Sequence, residues 1–133
     1  MDMETNKQRG GCLCGGVRYE VRGELRSVVG CHCSQCRRTS GNYVTATNCG
    51  LDDLVLEKDA TLRWYRSSET AERGFCGVCG SNLFWRPIGG DHLSIMAGTL
   101  DIPTGLRVTK HIFVADKSDY YDLNDNAEKH AQW

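Results

Sequence analysis

The chain has 133 residues, of which 40% are hydrophobic and 25% are charged, a composition typical of one globular domain and unlike that of a disordered chain. Its formal net charge is −1 and its longest basic run is Arg37-Arg38, so binding to nucleic acid or to an acidic membrane surface has no electrostatic support. No apolar run approaches the length of a membrane span, and the N-terminus lacks the apolar core of a signal peptide. We therefore expect a cytoplasmic protein.

The first half of the chain contains short strand patterns and one helical turn. Val17, Tyr19 and Val21 alternate with charged residues, and a period of two predicts a half-buried strand. Residues 34–40 are polar, and Gly41 after them can adopt the left-handed conformation that ends a helix, so about one helical turn is predicted there. Further strands are predicted at residues 25–29, 43–47, 54–57 and 62–65, the last two around a turn at 58–60.

The second half continues the β pattern. Residues 83–86 and 92–97 flank the turn-forming run Pro87-Ile88-Gly89-Gly90-Asp91, which predicts a hairpin, and a last strand is predicted at 106–114. No stretch shows a long 3.6-residue apolar period, so the fold is expected to be mainly β with at most short helical turns. We expect the chain to divide into a flexible polar leader at 1–9, a single domain at 10–123 and a polar C-terminal tail at 124–133.

Eight cysteines in a chain without a signal peptide indicate metal binding rather than a disulfide framework. Two residues separate Cys76 from Cys79, a spacing with which a tight turn directs two thiolates at one ion. Glycines within and after this turn permit the positive φ that it needs. Cys12 and Cys14 complement the pair, because residues i and i+2 of an extended chain face the same side. These four cysteines are predicted to hold one structural zinc that joins the two halves of the domain.

Cys31, Cys33 and Cys36 lie within six residues and can hold a second ion. Three protein ligands leave a fourth position open to water or to an incoming thiol, which is typical of a reactive zinc. A thiol bound there loses its proton near neutral pH, so we assign these three cysteines to catalysis. The alternative is that Cys49 or His32 closes the site as a fourth ligand.

Other polar residues near the cysteines allow plainer interpretations. Cys49 is expected to be an inert buried thiol, and His32 is expected to orient its loop by hydrogen bonding. Arg37 and Arg38 are ordinarily solvated charges, but they could also offset thiolate charge or bind a carboxylate of the ligand. The other histidines are expected to be surface or core residues without a chemical role: His92, His111 and His130.

Several motifs follow one another along residues 10–123 in a specific order. They are Gly11-Cys12-Leu13-Cys14-Gly15, Cys31-His32-Cys33-Ser34-Gln35-Cys36-Arg37-Arg38-Thr39-Ser40-Gly41, Tyr65-Arg66-Ser67-Ser68, Arg73-Gly74-Phe75-Cys76-Gly77-Val78-Cys79-Gly80-Ser81, Gly98-Thr99-Leu100-Asp101 and His111-Ile112-Phe113-Val114. Seven cysteines in this order, with these flanks, resemble the glutathione-dependent formaldehyde-activating enzyme family, which also includes the centromere protein V domain.

The resemblance implies an Mss4-like β-tent of antiparallel sheets organised around zinc. It implies one structural zinc and a second, labile zinc, on the same two groups of cysteines that the spacing indicates: Cys12, Cys14, Cys76 and Cys79 for the first, and Cys31, Cys33 and Cys36 for the second. It further implies a carbon–sulfur lyase that joins formaldehyde or another aldehyde to glutathione, giving S-hydroxymethylglutathione. Arg37 or Arg38 could then hold a carboxylate of the tripeptide, and a homodimer is compatible with the sequence.

Two other functions stay open at this point. One is a non-catalytic module in which both zinc sites are closed and a surface recognises a protein, by fold-level analogy with exchange factors and chaperones. The other is a thiol redox enzyme in which Cys49 acts together with one of the middle cysteines, as in methionine sulfoxide reductases of similar architecture.

Overall fold

The computed structural model describes residues 7–133, so the first six residues of the expected leader lie outside the described residues. The strands are β1 (Lys7–Gly11), β2 (Arg18–Arg22), β3 (Val28–Cys31), β4 (Val44–Gly50), β5 (Leu54–Lys58), β6 (Leu62–Arg66), β7 (Ala71–Cys76), β8 (Asn82–Pro87), β9 (His92–Met96), β10 (Val108–Ile112) and β11 (Glu128–Lys129). One α-helix, α1, spans Ser34–Ser40, and 3-10 turns lie at Leu51–Asp53, Ala97–Thr99 and Val114–Asp116. Within residues 7–133, no helix is long and apolar enough to cross a bilayer.

The strands form two sheets. A three-stranded antiparallel sheet has the order β1-β2-β5, and an eight-stranded sheet has the order β11-β10-β3-β4-β9-β8-β7-β6. All pairs in the larger sheet are antiparallel except that β10 runs parallel to both β3 and β11. The prediction of a mainly β fold with short helical elements is confirmed.

Local sequence signals correspond well to some elements and poorly to others. Helix α1 ends at Gly41, whose φ is 84°, and β8 pairs with β9 as the predicted hairpin. The two strands predicted around residues 58–60 exist as β5 and β6, but they belong to different sheets, where β5 pairs with β2 and β6 with β7. Strand β7 was not predicted, because its Glu-Arg-Gly centre interrupts any run of β-forming residues.

Both ends of the expected domain extend further than their polar composition indicates. Residues 7–9, assigned to the leader from the sequence, belong to β1, which pairs with β2 along its full length. In the expected tail, β11 pairs with β10, and Asp125 hydrogen bonds to the buried His111. These contacts are made by backbone and polar groups, so hydrophobic periodicity does not predict them.

The buried residues form two clusters on opposite faces of the eight-stranded sheet. Phe84 and Ile95 pack with Tyr19 of β2 in the larger cluster, which therefore lies between the two sheets. The next residue after Ile95 along the strand, Met96, packs instead with Cys36 of α1 in the smaller cluster. Because successive side chains of a strand face opposite sides, α1 and its cysteines lie on the face away from the small sheet.

Candidate functional site

The first cysteine cluster consists of Cys12, Cys14, Cys76 and Cys79, whose sulfur atoms all lie within 4.8 Å of one another. The first two follow β1, and the other two lie at the end of β7 and in the turn to β8. Cys14 Sγ is 3.6 Å from Cys12 Sγ and 3.7 Å from Cys76 Sγ, close to the ~3.8 Å separation of thiolates bonded tetrahedrally to one zinc ion. These distances far exceed a disulfide bond of about 2.05 Å. The predicted set therefore fits one tetrahedral ion.

Hydrogen-bond donors around this cluster favour the thiolate form that metal binding requires. The backbone N–H groups of Val78 and Cys79 each donate to Cys76 Sγ at 3.4 Å. The bond from Cys79, together with the Thr61 hydroxyl, lowers the pKa of Cys76 to about 7. The Ser81 hydroxyl, 3.2 Å from Cys79 Sγ, lowers the pKa of Cys79 to about 5.

The two glycines of the Cys76–Cys79 turn serve different purposes. Gly80 has a φ of 80° and donates its N–H to the Cys76 carbonyl, as the sequence predicts for a turn that needs the left-handed conformation. Gly77 does not have a positive φ. A Cβ at that position would lie 2.9 Å from Arg63 Cγ, so this glycine is required by close packing and not by its backbone conformation.

The second cluster consists of Cys31, Cys33 and Cys36, and these sulfur atoms also lie within 4.8 Å of one another. Cys31 is the last residue of β3, Cys33 is the N-cap of α1, and Cys36 lies in the first turn of that helix. The backbone N–H of Cys36 donates to Cys33 Sγ at 3.4 Å. A strand end followed at once by a helix start therefore places three sulfurs on one side of a short segment.

The three sulfurs share charge through mutual hydrogen bonds. Donation from the Cys31 and Cys36 thiols lowers the pKa of Cys33 far below its ordinary value, while the bond to Cys33 raises the pKa of Cys31. Cys33 therefore loses its proton more readily than Cys31. A cation at the centre would favour the thiolate form of all three, which is the ligand form that zinc takes.

The structure brings neither alternative fourth ligand to this cluster. Val44 of β4 pairs with Cys31. Cys49 lies five residues further along β4, which places it about 17 Å away and on the opposite face of the sheet. Burial raises the pKa of Cys49 to about 11, and the negative charge of Asp53 adds to this rise. A disulfide between Cys49 and a middle cysteine, as the redox hypothesis requires, is excluded at this separation.

His32 is occupied by hydrogen bonds and is not a ligand. Its Nδ1 lies 2.7 Å from the Tyr121 hydroxyl and its Nε2 lies 2.9 Å from Nδ1 of His111. His111 Nε2 lies 2.8 Å from a carboxylate oxygen of Asp125. A carboxylate only accepts hydrogen bonds, so with both rings neutral His111 Nε2–H donates to Asp125. His32 Nε2–H then donates to His111 Nδ1, and the Tyr121 hydroxyl donates to His32 Nδ1. His32 thus orients its loop as predicted, and His111, assigned no role from the sequence, supports it.

A pocket of about 300 Å³ adjoins the second cluster, and all three of its cysteines line it. This volume is at the lower end of the range for small-molecule sites. The other walls are mostly apolar or aromatic and include Val44, Ala46, Trp85, Met96, Phe113 and Trp133. The cluster is therefore accessible from a cavity that a small organic molecule can enter.

The arginine in contact with this cluster is not one of those proposed from the sequence. Arg37 and Arg38 follow the cysteines on α1 but are not among the residues that line the pocket. Arg73 of β7 does line it, and its Nη2 lies 3.6 Å from Cys36 Sγ. Sequence reasoning missed this residue because it missed β7, although Arg73 belongs to the motif that ends in Cys76 and Cys79.

Comparison with known proteins agrees with this architecture. The family model described as glutathione-dependent formaldehyde-activating enzyme matches residues 7–116. A Schizosaccharomyces pombe protein described as an uncharacterized lyase is 29% identical over 115 residues, which is 86% of this chain and 83% of that protein. The crystal structure of a Rhodobacter sphaeroides protein superimposes with a TM-score of 0.61 at 28% identity, covering 73% of this chain and 91% of that chain. The chain therefore belongs to the glutathione-dependent formaldehyde-activating enzyme family.

Proposed function

We propose that this protein is a zinc-dependent carbon–sulfur lyase that joins a thiol to an aldehyde and splits the same adduct in reverse. The family match supports glutathione and formaldehyde as the substrates and S-hydroxymethylglutathione as the product. The observation that carries the proposal is a cluster of three cysteine sulfurs, without a fourth protein ligand among residues 7–133, that faces a pocket.

The two clusters are proposed to hold zinc in two different ways. The four-cysteine cluster would supply all four ligands of a structural ion, and the three-cysteine cluster would supply three ligands of a reactive one. When bound at the three cysteines, zinc would favour the thiolate form of a substrate thiol, which is the nucleophilic form.

The protein's own residues prepare the site for this chemistry. The N-cap position of Cys33 and the hydrogen bonds of His32 fix the loop that carries the three sulfurs. Trp85 and Met96 form an apolar wall beside them and limit access of water to the reacting atoms. In the forward direction the thiolate sulfur bonds to the carbonyl carbon, the π electron pair moves to the oxygen, and that oxygen takes a proton from water.

A non-catalytic interaction module is the competing function. Such a module requires a fourth protein ligand at the second centre. Cys49 is too far away and His32 is held by other hydrogen bonds, so neither supplies that ligand in the described part of the chain. X-ray absorption on the zinc-loaded protein distinguishes the two. Three sulfurs and one light atom at the second centre support the enzyme, whereas four sulfurs at both centres support the module.

The direct test is the rate at which glutathione and formaldehyde exchange with their adduct, followed by ¹³C exchange NMR with labelled formaldehyde. Zinc-loaded wild-type protein, with its ion count checked by native mass spectrometry, is expected to accelerate this exchange over the spontaneous rate. Cys31→Ser, which removes one ligand of the second centre, is expected to return the rate to the spontaneous value. Equal rates with and without fully loaded wild-type protein would refute the lyase proposal.

A further inference from the structure

A buried charge stands at the edge of the three-cysteine cluster. Arg73 is only 5% exposed and lies on β7, from which Ala71, two residues earlier, also lines the pocket. Residues i and i+2 of a strand share a face, so Arg73 projects from the face of the large sheet that carries α1. Its guanidinium is positively charged at any physiological pH.

The hydrogen bonds of this guanidinium are incomplete. Nη2 donates to Gln35 Oε1 at 3.4 Å, which is long for an oxygen acceptor, and to Cys36 Sγ at 3.6 Å. Nε is buried and has no hydrogen-bond partner. Among residues 7–133, no carboxylate lies within ion-pair distance of Arg73.

Burying a charge without a matching anion is costly, and an unsatisfied buried donor adds to that cost. Arginine presents its N–H groups as a planar fork that suits a negatively charged oxygen. Arg73 lines the pocket, and its Nη2 lies beside Cys36 of the three-cysteine cluster, so we expect the missing anionic partner to enter with the ligand.

The position of Arg73 in the pocket indicates which oxygen of the ligand is its partner. In the addition of a thiolate to an aldehyde, the oxygen that receives the electron pair is two bonds from the reacting sulfur. The carboxylates of glutathione are many bonds further away. Arg73 lies within 3.6 Å of Cys36 Sγ, at the end of the pocket where the sulfur chemistry takes place.

We propose that Arg73 binds the negatively charged oxygen that forms on the aldehyde carbon when the thiolate adds to it, an inference that rests on the proposed lyase function. The carbon–sulfur bond forms as the carbonyl π pair moves to the oxygen, Arg73 keeps all its protons and stabilises the alkoxide, and the alkoxide then takes a proton from water. A donor aimed at such an oxyanion typically contributes about 10²–10³-fold to the rate.

The kinetic test compares zinc-loaded Arg73→Gln and Arg73→Lys with the wild type. The control is Arg22→Gln, which removes the same charge from β2 in the other sheet. Arg73→Gln is expected to lower kcat by about 10²–10³-fold while KM for the thiol and the ion count stay close to wild type. Arg73→Lys, which keeps the charge but loses the fork, is expected to fall between them, and Arg22→Gln is expected to equal wild type.

Other kinetic outcomes overturn the inference. Loss of an ion in Arg73→Gln would show that Arg73 serves only to balance thiolate charge. A rise in KM for glutathione with kcat unchanged would show that it binds a carboxylate of the thiol, and an unchanged rate would show that it binds neither.

A second test does not depend on catalysis. Calorimetry compares mercaptoacetate, whose anionic oxygen is three bonds from sulfur, with 2-mercaptoethanol, which has a neutral hydroxyl at the same distance. Wild type and Arg22→Gln are expected to bind mercaptoacetate more tightly, by about tenfold, and Arg73→Gln is expected to lose this preference, because a hydrogen bond from arginine to a charged oxygen is stronger than one to a neutral hydroxyl. Equal preference in all three proteins would overturn the assignment of Arg73 even if the lyase activity itself were present. A wild type that shows the preference but no catalysis would refute the lyase proposal and the oxyanion role with it, and would leave Arg73 as an anion-binding residue of the pocket.

Discussion

The two cysteine clusters are assembled from very different lengths of chain. In the four-cysteine cluster, Cys14 and Cys76 are 62 positions apart. Cys14 follows β1 and Cys76 ends β7, and these strands belong to different sheets. In the three-cysteine cluster, Cys31 and Cys36 lie at the end of one strand and in the first turn of the next helix. An ion in the first cluster therefore ties distant segments together, whereas an ion in the second bridges only a local segment.

The two clusters also differ in the residues that surround them. The first has four cysteine sulfurs of its own, although Cys14 is exposed, and donors from Ser81, Val78 and Cys79 contact these sulfurs. The second faces a pocket and has Arg73 in contact with one sulfur. A structural zinc takes four protein ligands and a catalytic zinc keeps one position open, so the two clusters fit the two proposed uses.

The largest expected effect of a single substitution is in the four-cysteine cluster. Cys76→Ser removes one of the four sulfurs that are proposed to hold an ion between segments of the two sheets. The binding energy of a structural zinc is about 10–16 kcal/mol, which is as large as the whole stability of a typical domain, about 5–15 kcal/mol. We expect the variant to be largely unfolded at 25 °C by circular dichroism.

The matched control for this prediction is Cys49→Ala. Cys49 is a buried cysteine of the same core that is not a ligand, so its truncation is expected to cost only about 1 kcal/mol. A Cys76→Ser protein with two ions and a wild-type unfolding midpoint would contradict the structural role of the first cluster.

A smaller effect on folding is expected in the three-cysteine cluster. Cys36→Ser should reduce the ion count from two to one by native mass spectrometry and abolish the adduct exchange. Because the ligands lie in one short segment, its cost in the free energy of unfolding should be about 1–3 kcal/mol, measured by urea denaturation. Unfolding as complete as that of Cys76→Ser would show that both clusters support the fold equally, which contradicts the proposed difference between a structural and a reactive centre.

The same contrast explains how much of the site the sequence could predict. Both groups of cysteines were predicted to cluster, and they do, because short cysteine spacings encode local geometry that does not depend on the rest of the fold. The pairing of Cys12 and Cys14 with Cys76 and Cys79, although distant, followed from the need of a structural ion for four ligands. Strand β2 and the β8-β9 hairpin were predicted for a similar reason, since period and turn residues are local signals.

The parts that the sequence could not predict depend on contacts between distant segments. Arg73 reaches Cys36 only because β7 lies in the same sheet as β3, and Asp125 reaches His111 only because residues 124–133 return along β10. No periodicity marks either contact. Sequence reasoning placed the ligand's anion at Arg37 and Arg38 because they adjoin the cysteines in sequence, whereas pairing of strands brings Arg73 to the pocket instead.

The smallest expected effect on the second ion comes from the support of the three-cysteine loop. A Cβ at Gly30 of β3 would lie 2.6 Å from His111 Nδ1 and 3.2 Å from Tyr43 Cε2. Gly30→Ala must therefore displace the ring that His32 hydrogen bonds to, and overpacking of this kind costs about 1–3 kcal/mol. Gly98→Ala is the matched control, because its Cβ would meet no atom within 4 Å and its cost should stay within ~0.5 kcal/mol. Urea denaturation measures both costs, and chelator competition should show weaker retention of the second ion in Gly30→Ala alone, because His32 lies between two of its ligands. If both variants hold that ion as tightly as wild type, the histidine network supports the fold but not the three-cysteine centre.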